Sequence, residues 1–505
     1  MEDRSLPASI NYGAVLPQAV PAIQHRRKYY PNNGLAFSPG GNNQIRIEIS
    51  SPSALLDPKN SYLSFEVVNA EAGGGATFGF ENSPYSFFNR LTLEQGGKVL
   101  CRWDELSRYC CAVINPAQTN INGRGFDSLT EGARGYNADG AGNNAPEVVP
   151  AGLPVGTSPG TAYLNLNHNS DALIPPLAGA PGASKKFAVP LLGGLFTQEK
   201  MLPLPLLKPG QPLVVTLTLE VADRAVLWSA PPVGNGYELR NVYYAASLVE
   251  VGRDVLDQFR MVQQNMGGSL VISSHDMDNN SDTIAAAQSG EQVIRCPSRH
   301  KSLKSLFWTA HSENYAGTLG PITQAEASSL TYCGSANVTE YQLKVGAVVY
   351  PPTAIRAPGV TTGANDYDKK RSECLMELAK AFGSLGWASP TGYLHTAGYM
   401  TSILNGGPNG NGNGDNGALI GGFPATLVPQ GSQAIIATPF GIDLESFQRT
   451  AIESGVDSET LAEAVNLVLT VDAGGVGIED KIINVYSLFD SHYYFKSDGM
   501  MDVSN

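Results

Sequence analysis

The sequence is poor in charge and in the features that several functional classes need. Only 16% of the 505 residues are charged and the net charge is −13, which argues against a general nucleic-acid-binding surface, because such surfaces concentrate Lys and Arg. No run of 18 apolar residues suggests a membrane-spanning helix, and no apolar segment of a secretory signal follows Met1–Arg4. The six cysteines form no CxxC pair, so we expect reduced, buried thiols rather than a metal site or a disulfide framework.

Two short motifs match catalytic or cofactor patterns but lack the context that the chemistry needs. Gly156–Gly160 fits GxSxG, yet Pro159 follows the serine and has no backbone N–H to offer an oxyanion hole. Gly412–Gly417 fits GxGxxG inside a low-complexity Asn/Gly segment, with no predicted strand before it and no predicted helix after it. Neither motif therefore predicts an active site.

Candidate metal ligands are equally sparse. The seven histidines are never closer to one another than eleven residues, which disfavours the clustered ligands of a cupin-type metal site. Asp276–Asp282 resembles the start of a calcium loop, but Ser281 stands where the turn glycine belongs and Ala287 where the bidentate glutamate belongs. We predict a polar turn there. We also predict no catalytic, cofactor-binding or metal-ligating residue, no cofactor and no small-molecule substrate.

What the chain does contain favours β structure in two units. Hydrophobic residues make up 42% of the sequence, and 55 glycines and 33 prolines indicate many turns and long loops. A chain of this length is expected to divide into two domains of roughly 200–250 residues.

A long-range repeat supports that division. Leu213–Leu217 begins an apolar run that is followed by a Gly/Pro break and by a second run opening at Asn241–Tyr243. About half the chain later, Leu467–Val471 and Asn484–Tyr486 repeat the arrangement. The spacing exceeds solenoid periods and indicates two similar β domains in tandem.

Periodicity predicts the organisation of the chain. Residues 1–40 lack periodicity and are predicted to form an N-terminal arm, with a basic-aromatic cluster at His25–Tyr30. We expect a first jelly roll at 41–254, a helical connector at 255–266 and a second jelly roll at 267–505. Local signals predict turns and helices within this plan: a turn at Asp57–Asn60, and helices at Arg102–Val113, Asp254–Gln264 and Tyr367–Phe382. The fold class is therefore all-β, with long loop insertions and a few short helices.

Several segments together resemble a known family. They are Leu35–Pro39, Gln44–Ile49, Leu56–Phe65, Phe440–Glu445, Val485–Tyr494 and Ser497–Gly499. These segments resemble the opening and closing strands of double jelly-roll major capsid proteins of icosahedral DNA viruses, including polinton-like viruses, virophages, large DNA viruses and the adenovirus-hexon lineage.

The resemblance implies two tandem eight-stranded jelly rolls, a homotrimer that forms a pseudo-hexameric capsomer, and no active site. It also implies an outer tower built by the loops at 115–212 and 310–340. The implied partners are neighbouring capsomers and minor capsid or penton proteins in a virion made in the host cytoplasm or nucleus.

The arm at 1–40 could tether neighbouring subunits, the reading we favour, or contact the genome or an internal membrane. The alternative function is a jelly-roll carbohydrate-binding or adhesin protein on a virion or cell surface. That reading would need an acid pair, an aromatic platform or fibre repeats, and the sequence displays none of these.

Overall fold

The structure is a computed structural model. It describes residues 22–70, 78–80, 83–114, 184–198, 200–228, 236–265, 268–312, 330, 336–357, 373–374, 376–382, 439–445, 455–459, 465–472 and 480–504. The motifs at 156–160 and 412–417 lie outside these residues, as do residues 1–21 of the predicted arm.

The first half of the chain forms a sandwich of two four-stranded antiparallel sheets. One sheet has the order β1-β11-β4-β8 and the other the order β3-β9-β6-β7. The short strand β2 pairs with β11, and β5 pairs with β10. The strands are β1 (Ala22–Tyr29), β2 (Ala36–Phe37), β3 (Gln44–Ile49), β4 (Ala54–Asn69), β5 (Phe78–Phe80), β6 (Phe88–Gln95), β7 (Lys98–Trp103), β8 (Ser184–Val189), β9 (Leu213–Leu219), β10 (Val226–Trp228) and β11 (Tyr237–Val251).

The second half forms a sandwich with the same plan. Its sheets have the orders β12-β19-β14-β17 and β13-β18-β15-β16, and β20 pairs with β19. The strands are β12 (Ser269–Ile284), β13 (Gly290–Cys296), β14 (Leu303–Ser312), β15 (Val338–Val345), β16 (Val348–Arg356), β17 (Phe440–Asp443), β18 (Val465–Val471), β19 (Lys481–Lys496) and β20 (Met501–Ser504).

The two sandwiches repeat each other strand by strand. When the eight main strands of each are numbered along the chain, both halves pair the first, eighth, third and sixth in one sheet and the second, seventh, fourth and fifth in the other. This is the jelly-roll topology. The repeat seen in the sequence falls on the seventh and eighth strands, β9 and β11 against β18 and β19. The prediction of an all-β tandem jelly roll is confirmed.

Alternation of apolar and polar side chains explains the sheets locally. In β3 the side chains of Ile45, Ile47 and Ile49 are fully buried, whereas Arg46 and Glu48 are exposed. The valines and leucines of β18 alternate with partly exposed residues in the same way. A period of two places one face of each strand in the core.

Helices are few and short among the described residues. They are α1 (Leu106–Arg108), which continues into a π-helical turn at Tyr109–Ile114, α2 (Ala222–Ala225) and α3 (Arg253–Asn265). Short 3-10 helices lie at Pro84–Phe87, Gly194–Phe196 and Leu204–Leu206. Residues 373–374 and 376–382 are also helical, within the helix predicted at Tyr367–Phe382. The predicted Arg102–Val113 helix starts later, because β7 extends to Trp103. No described helix has the length and apolarity to span a bilayer.

Three local predictions are wrong, and the first concerns the arm. Residues 22–29, placed in an arm at 1–40, form β1 and pair with β11 from Ala22 opposite Val251 to Tyr29 opposite Tyr244. Seven of the eight β1 residues are exposed, so an edge strand with little burial carries no apolar periodicity.

The predicted turn at Asp57–Asn60 is a bulge inside β4. The partner register jumps from Tyr62 opposite Ala245 to Asp57 opposite Ser247. The Ser61 hydroxyl accepts a hydrogen bond from the Ser247 backbone N–H at 2.9 Å, which satisfies that donor where the regular ladder is interrupted.

The predicted turn at Asp276–Asp282 is part of a continuous strand. These residues lie within β12 and pair with β19 without a break, from Asp276 opposite Phe489 to Asp282 opposite Ile483. Cross-strand pairing over a long sequence separation has overridden the low β propensity of Asp and Asn.

Candidate assembly interfaces

One Ser–His–Asp cluster among the described residues does not have the geometry of a catalytic triad. In the second sandwich, His275 Nδ1 lies 3.0 Å from Asp490 Oδ1, and the Ser302 hydroxyl donates to Asp490 Oδ2 at 2.7 Å. Serine and histidine thus both contact the carboxylate, whereas a triad needs the serine on the histidine. Within the same described residues, no group of three or more His, Cys, Asp or Glu side chains could hold a metal ion. That the whole chain lacks such sites stays a prediction.

A buried carboxylate lies between the two sandwiches. Asp276 of β12 is 3% exposed. Trp103 Nε1 donates a hydrogen bond to its Oδ1, and the Cys101 thiol donates to the same oxygen at 3.2 Å. The Tyr493 hydroxyl donates to Oδ2 at 2.8 Å, and the Met277 backbone N–H to Oδ1 at 3.1 Å. Two strands of the second sandwich and β7 of the first therefore meet at one side chain.

Burial sets the electrostatics of this junction. Desolvation raises the pKa of the Asp276 carboxyl above its usual value, and the hydrogen bonds from Trp103, Cys101 and Tyr493 oppose that shift only in part. Burial also raises the pKa values of the Cys101 thiol and the Tyr493 phenol. The two side chains therefore stay protonated and act as donors to Asp276.

We expect this junction to make stability depend on pH. Because the folded pKa of Asp276 is raised, the stabilisation from its protonated form is fully present below the unfolded pKa of about 3.9 and is lost as the pH rises through the folded value. Asp276→Asn has no carboxyl to ionise, so this part of the stability should no longer be lost as the pH rises. The free energy of unfolding, measured against pH by denaturant titration, should fall less steeply for this variant than for the natural chain. Asp282→Asn, an exposed position on the same strand, is the control. An unchanged slope in Asp276→Asn would show that Asp276 does not cause the dependence.

A second set of contacts joins the sandwiches at the end of the chain. Gln95 of β6 is fully buried; its Nε2 donates to the Gly499 carbonyl at 2.9 Å, and its Oε1 accepts from the Met501 N–H at 2.6 Å. The Lys208 N–H donates to the same Gly499 carbonyl at 2.9 Å. Gly499 has a φ of +79°, and a Cβ there would lie 2.5 Å from Lys208 N, so only glycine permits this approach.

Aromatic packing completes the junction. Tyr109, in the turn after α1, is 2% exposed. Its ring centroid lies 6.1 Å from that of Trp103 in the first sandwich, and 5.0 Å from Tyr486 and 6.4 Å from Phe307 in the second. Buried apolar residues of both sandwiches accordingly form one continuous cluster, which fixes the two halves as one body.

The second sandwich also contains a buried ion network. Lys304 Nζ lies 3.0 Å from Glu445 Oε1 and 3.3 Å from Asp490 Oδ1, and the side chains of Lys304 and Glu445 are 12% and 3% exposed. Burial alone would raise the pKa of Asp490, but hydrogen bonds from His275 and Ser302 and the charge of Lys304 lower it overall. This network ties β14, β19 and the segment after β17 together.

The basic-aromatic cluster predicted in the arm lies on an exposed sheet face. Arg26 Cζ is 4.8 Å from the Tyr62 ring centroid and forms a hydrogen bond with its hydroxyl. Lys28 Nζ is 4.2 Å, and Lys186 Nζ 5.7 Å, from the Tyr243 ring centroid. This face comprises Arg26, Lys28, Tyr62, Lys186 and Tyr243.

Sequence reasoning missed the residues that join the sandwiches. Trp103 and Tyr109 lie within the helix predicted at Arg102–Val113, and no sequence pattern marks Cys101 or Gln95 as a contact residue between the sandwiches. Asp276 stood out only as the start of a calcium-loop pattern, and Tyr486, Tyr493 and Gly499 only as members of the segments that carry the family resemblance.

Comparison with known proteins identifies the fold. No protein-family model matches the sequence, and no curated protein matches it either. Among solved structures, a chain of the 3.5 Å cryo-EM structure of the Sputnik virophage matches 99% of this chain and 92% of its own, with 11% identity and a TM-score of 0.53.

A chain of the quasi-atomic PBCV-1 virus capsid matches 98% of this chain and 99% of its own, with 12% identity and a TM-score of 0.50. PBCV-1 VP54, fitted into a reconstruction of Sputnik, gives the same values. The topology and these likenesses together show that this chain has the double jelly-roll fold of viral major capsid proteins.

Proposed function

We propose that the chain is a major capsid protein, the structural subunit of trimeric, pseudo-hexameric capsomers in the shell of an icosahedral DNA virus. The observation that carries the proposal is the pair of equivalent sandwiches joined by buried contacts at Asp276, Gln95 and Tyr109. The likeness to the PBCV-1 capsid and the Sputnik virophage supports it.

The duplication has a physical logic in a shell. Two similar sandwiches in a fixed orientation let one chain fill two nearly equivalent positions. Three such chains related by a three-fold axis then give a six-sided tile. Two sandwiches joined only by a flexible linker would not hold one fixed orientation, because domains of one chain move relative to each other unless their interface is large and apolar.

The proposal assigns a structural role without catalysis, cofactor or small-molecule substrate. The proposed partners are further copies of the chain, neighbouring capsomers and minor capsid or penton proteins in the virion. With residues 22–29 in β1, the role proposed for the arm, as a tether between subunits or a contact to genome or internal membrane, passes to the residues that precede β1.

The oligomeric state tests the proposal. The purified chain should have a native mass three times that of the 53.4 kDa subunit and stay trimeric at nanomolar concentration, since obligate interfaces commonly bury more than about 2,000 Å². Native mass spectrometry over a dilution series gives the answer. A stable monomer that binds glycans would contradict the proposal and favour the carbohydrate-binding or adhesin alternative.

A further inference from the structure

One histidine is buried on the sheet face where the two sandwiches meet. His311 of β14 is 4% exposed. Phe307, Thr309 and His311 alternate along the strand and therefore share one face of the sheet. Tyr109 of the first sandwich packs on this face, with its ring centroid 6.4 Å from that of Phe307. His311 thus lies at the junction rather than in the core of its own sandwich.

The hydrogen bonds around His311 require a neutral ring. The side-chain amide nitrogen of Asn484 lies 3.3 Å from His311 Nδ1. Asn484 Oδ1 accepts a hydrogen bond from the Ser281 hydroxyl, so the donor end of the amide faces the imidazole. A donor binds only an unprotonated ring nitrogen. A proton added to Nδ1 would therefore break the contact with Asn484.

The charges that act on His311 are positive. Two belong to the first sandwich, Arg108 of α1 and Arg224 of α2, and the third is Lys481 of β19. Burial and these three cations hold the pKa of the His311 imidazole well below its usual value. A proton on this ring is unfavourable as long as the two sandwiches stay packed together.

The carboxylates near these arginines are already paired. Arg224 lies 2.8 Å from Glu105 Oε2 and 3.5 Å from Glu220 Oε1, and the charge of Arg108 also acts on Glu105. These acids balance the arginines of the first sandwich before any charge appears on the imidazole. A charged ring would thus add an unbalanced positive charge to the junction.

We propose that His311 makes the junction between the two sandwiches acid-sensitive: a proton on its imidazole adds to the charges of Arg108 and Arg224 and breaks the contact with Asn484, so the sandwiches separate before either one unfolds. The inference concerns contacts within one chain and goes beyond the proposed function.

The direction of the pH effect follows from the lowered pKa. The unfolded chain takes up a proton at this histidine near a pH of about 6.5, whereas the folded chain does so only at lower pH. Stability from the neutral imidazole is therefore fully present above the unfolded value and is lost as the pH falls toward the folded value. Asp276 acts in the opposite sense, because its contribution is lost as the pH rises.

The pH dependence of unfolding tests the proposal. Relative to His311→Gln, the unfolding constant of the natural chain should rise about tenfold for each pH unit below about 6, because unfolding takes up one additional proton at this site. Urea titration of the full chain at one protein concentration gives the constants. A uniform loss of packing in the variant cancels, because only the change of the ratio with pH is compared. A ratio that does not change with pH would overturn the proposal.

Two other histidines serve as controls. His25 is exposed on β1, so the ratio for His25→Gln should not change with pH. His300 is 5% exposed, but its Nε2 lies 2.7 Å from the Asp278 carboxylate, an anion that stabilises a charged ring. His300→Gln should therefore keep the acid sensitivity of the natural chain. Loss of the sensitivity in either control would overturn the assignment to His311.

Hydrogen exchange of the natural chain locates the opening and needs no variant. Measured by mass spectrometry at neutral and at acidic pH, and corrected for the intrinsic exchange rate, exchange should increase first at 106–114 and in β14. β3, within the first sandwich, should keep its protection. Equal loss of protection in β3, or unchanged exchange at 106–114, would overturn the proposal, because acid would then not open the junction selectively.

Discussion

Tyr109→Ala should lower the free energy of unfolding by about 3–5 kcal/mol, the usual range for truncating a large buried aromatic side chain. The tyrosine is 2% exposed and its ring lies against Trp103, Phe307 and Tyr486. Two of those rings belong to the second sandwich. The cavity therefore opens at the junction, and we expect the single unfolding transition of the natural chain to separate into two.

Tyr109→Phe is the matched control for this prediction. It keeps the ring and its packing, so the free energy of unfolding should change by about 1 kcal/mol or less and the transition should stay single. Denaturant unfolding followed by tryptophan fluorescence and by circular dichroism distinguishes the cases, because coincident curves indicate one cooperative unit. Coincident curves and a small loss of stability in Tyr109→Ala would show that the sandwiches are not coupled through this residue.

Lys304→Met should also lower the free energy of unfolding by about 3–5 kcal/mol, because it leaves a buried carboxylate without its cationic partner. Glu445 and Asp490, which lie 3.0 and 3.3 Å from Lys304 Nζ, have side chains only 3% and 10% exposed. Methionine preserves much of the side-chain volume, so the loss reports the missing charge. The measurement is the midpoint and slope of denaturant unfolding.

Lys301→Met supplies the comparison on the same segment. Lys301 pairs with Glu459 at 3.8 Å, but the two side chains are 61% and 50% exposed, and exposed pairs contribute about 0–1 kcal/mol. Equal effects of the two substitutions would mean that the Lys304 network contributes no more than a surface ion pair.

The parts of the fold that the sequence predicts correctly are those where burial is periodic. The side chains of Ile45, Ile47 and Ile49 point into the core, and their alternation with polar residues predicts β3. The apolar runs of β9 and β18 predict the seventh strand of each sandwich. Because these strands bury one face, the pattern that selects them is visible in a window of a few residues.

The parts that the sequence misplaces are held by distant partners. β1 is exposed along nearly its whole length, and only its pairing with β11, more than two hundred residues later, makes it a strand. Asp276–Asp282 is polar except for Met277 and is likewise fixed by β19. The composition of a short segment does not predict that it pairs with a strand far away in the sequence.

The contacts that join the two sandwiches cannot be predicted from the sequence for the same reason, because their partners are far apart along the chain. Asp276 receives its hydrogen bonds from Trp103, 173 residues away, and from Tyr493, 217 residues away. A buried carboxylate with three side-chain donors has no sequence signature, because each donor is an ordinary residue of its own strand. The sequence of Asp276–Asp282 therefore favours a polar turn, whereas the paired sheets place the segment in a strand at the junction.

We propose that one chain supplies two fixed sandwiches and that three chains form a six-part tile. Electron microscopy of the purified oligomer tests it most directly, because class averages display the outline without assuming a fold. We expect a ring of six density lobes viewed down a three-fold axis, with a native mass of three 53.4 kDa chains. Particles with two lobes, or lobes whose separation varies from one particle to the next, would show that the chain does not form a rigid six-part trimer.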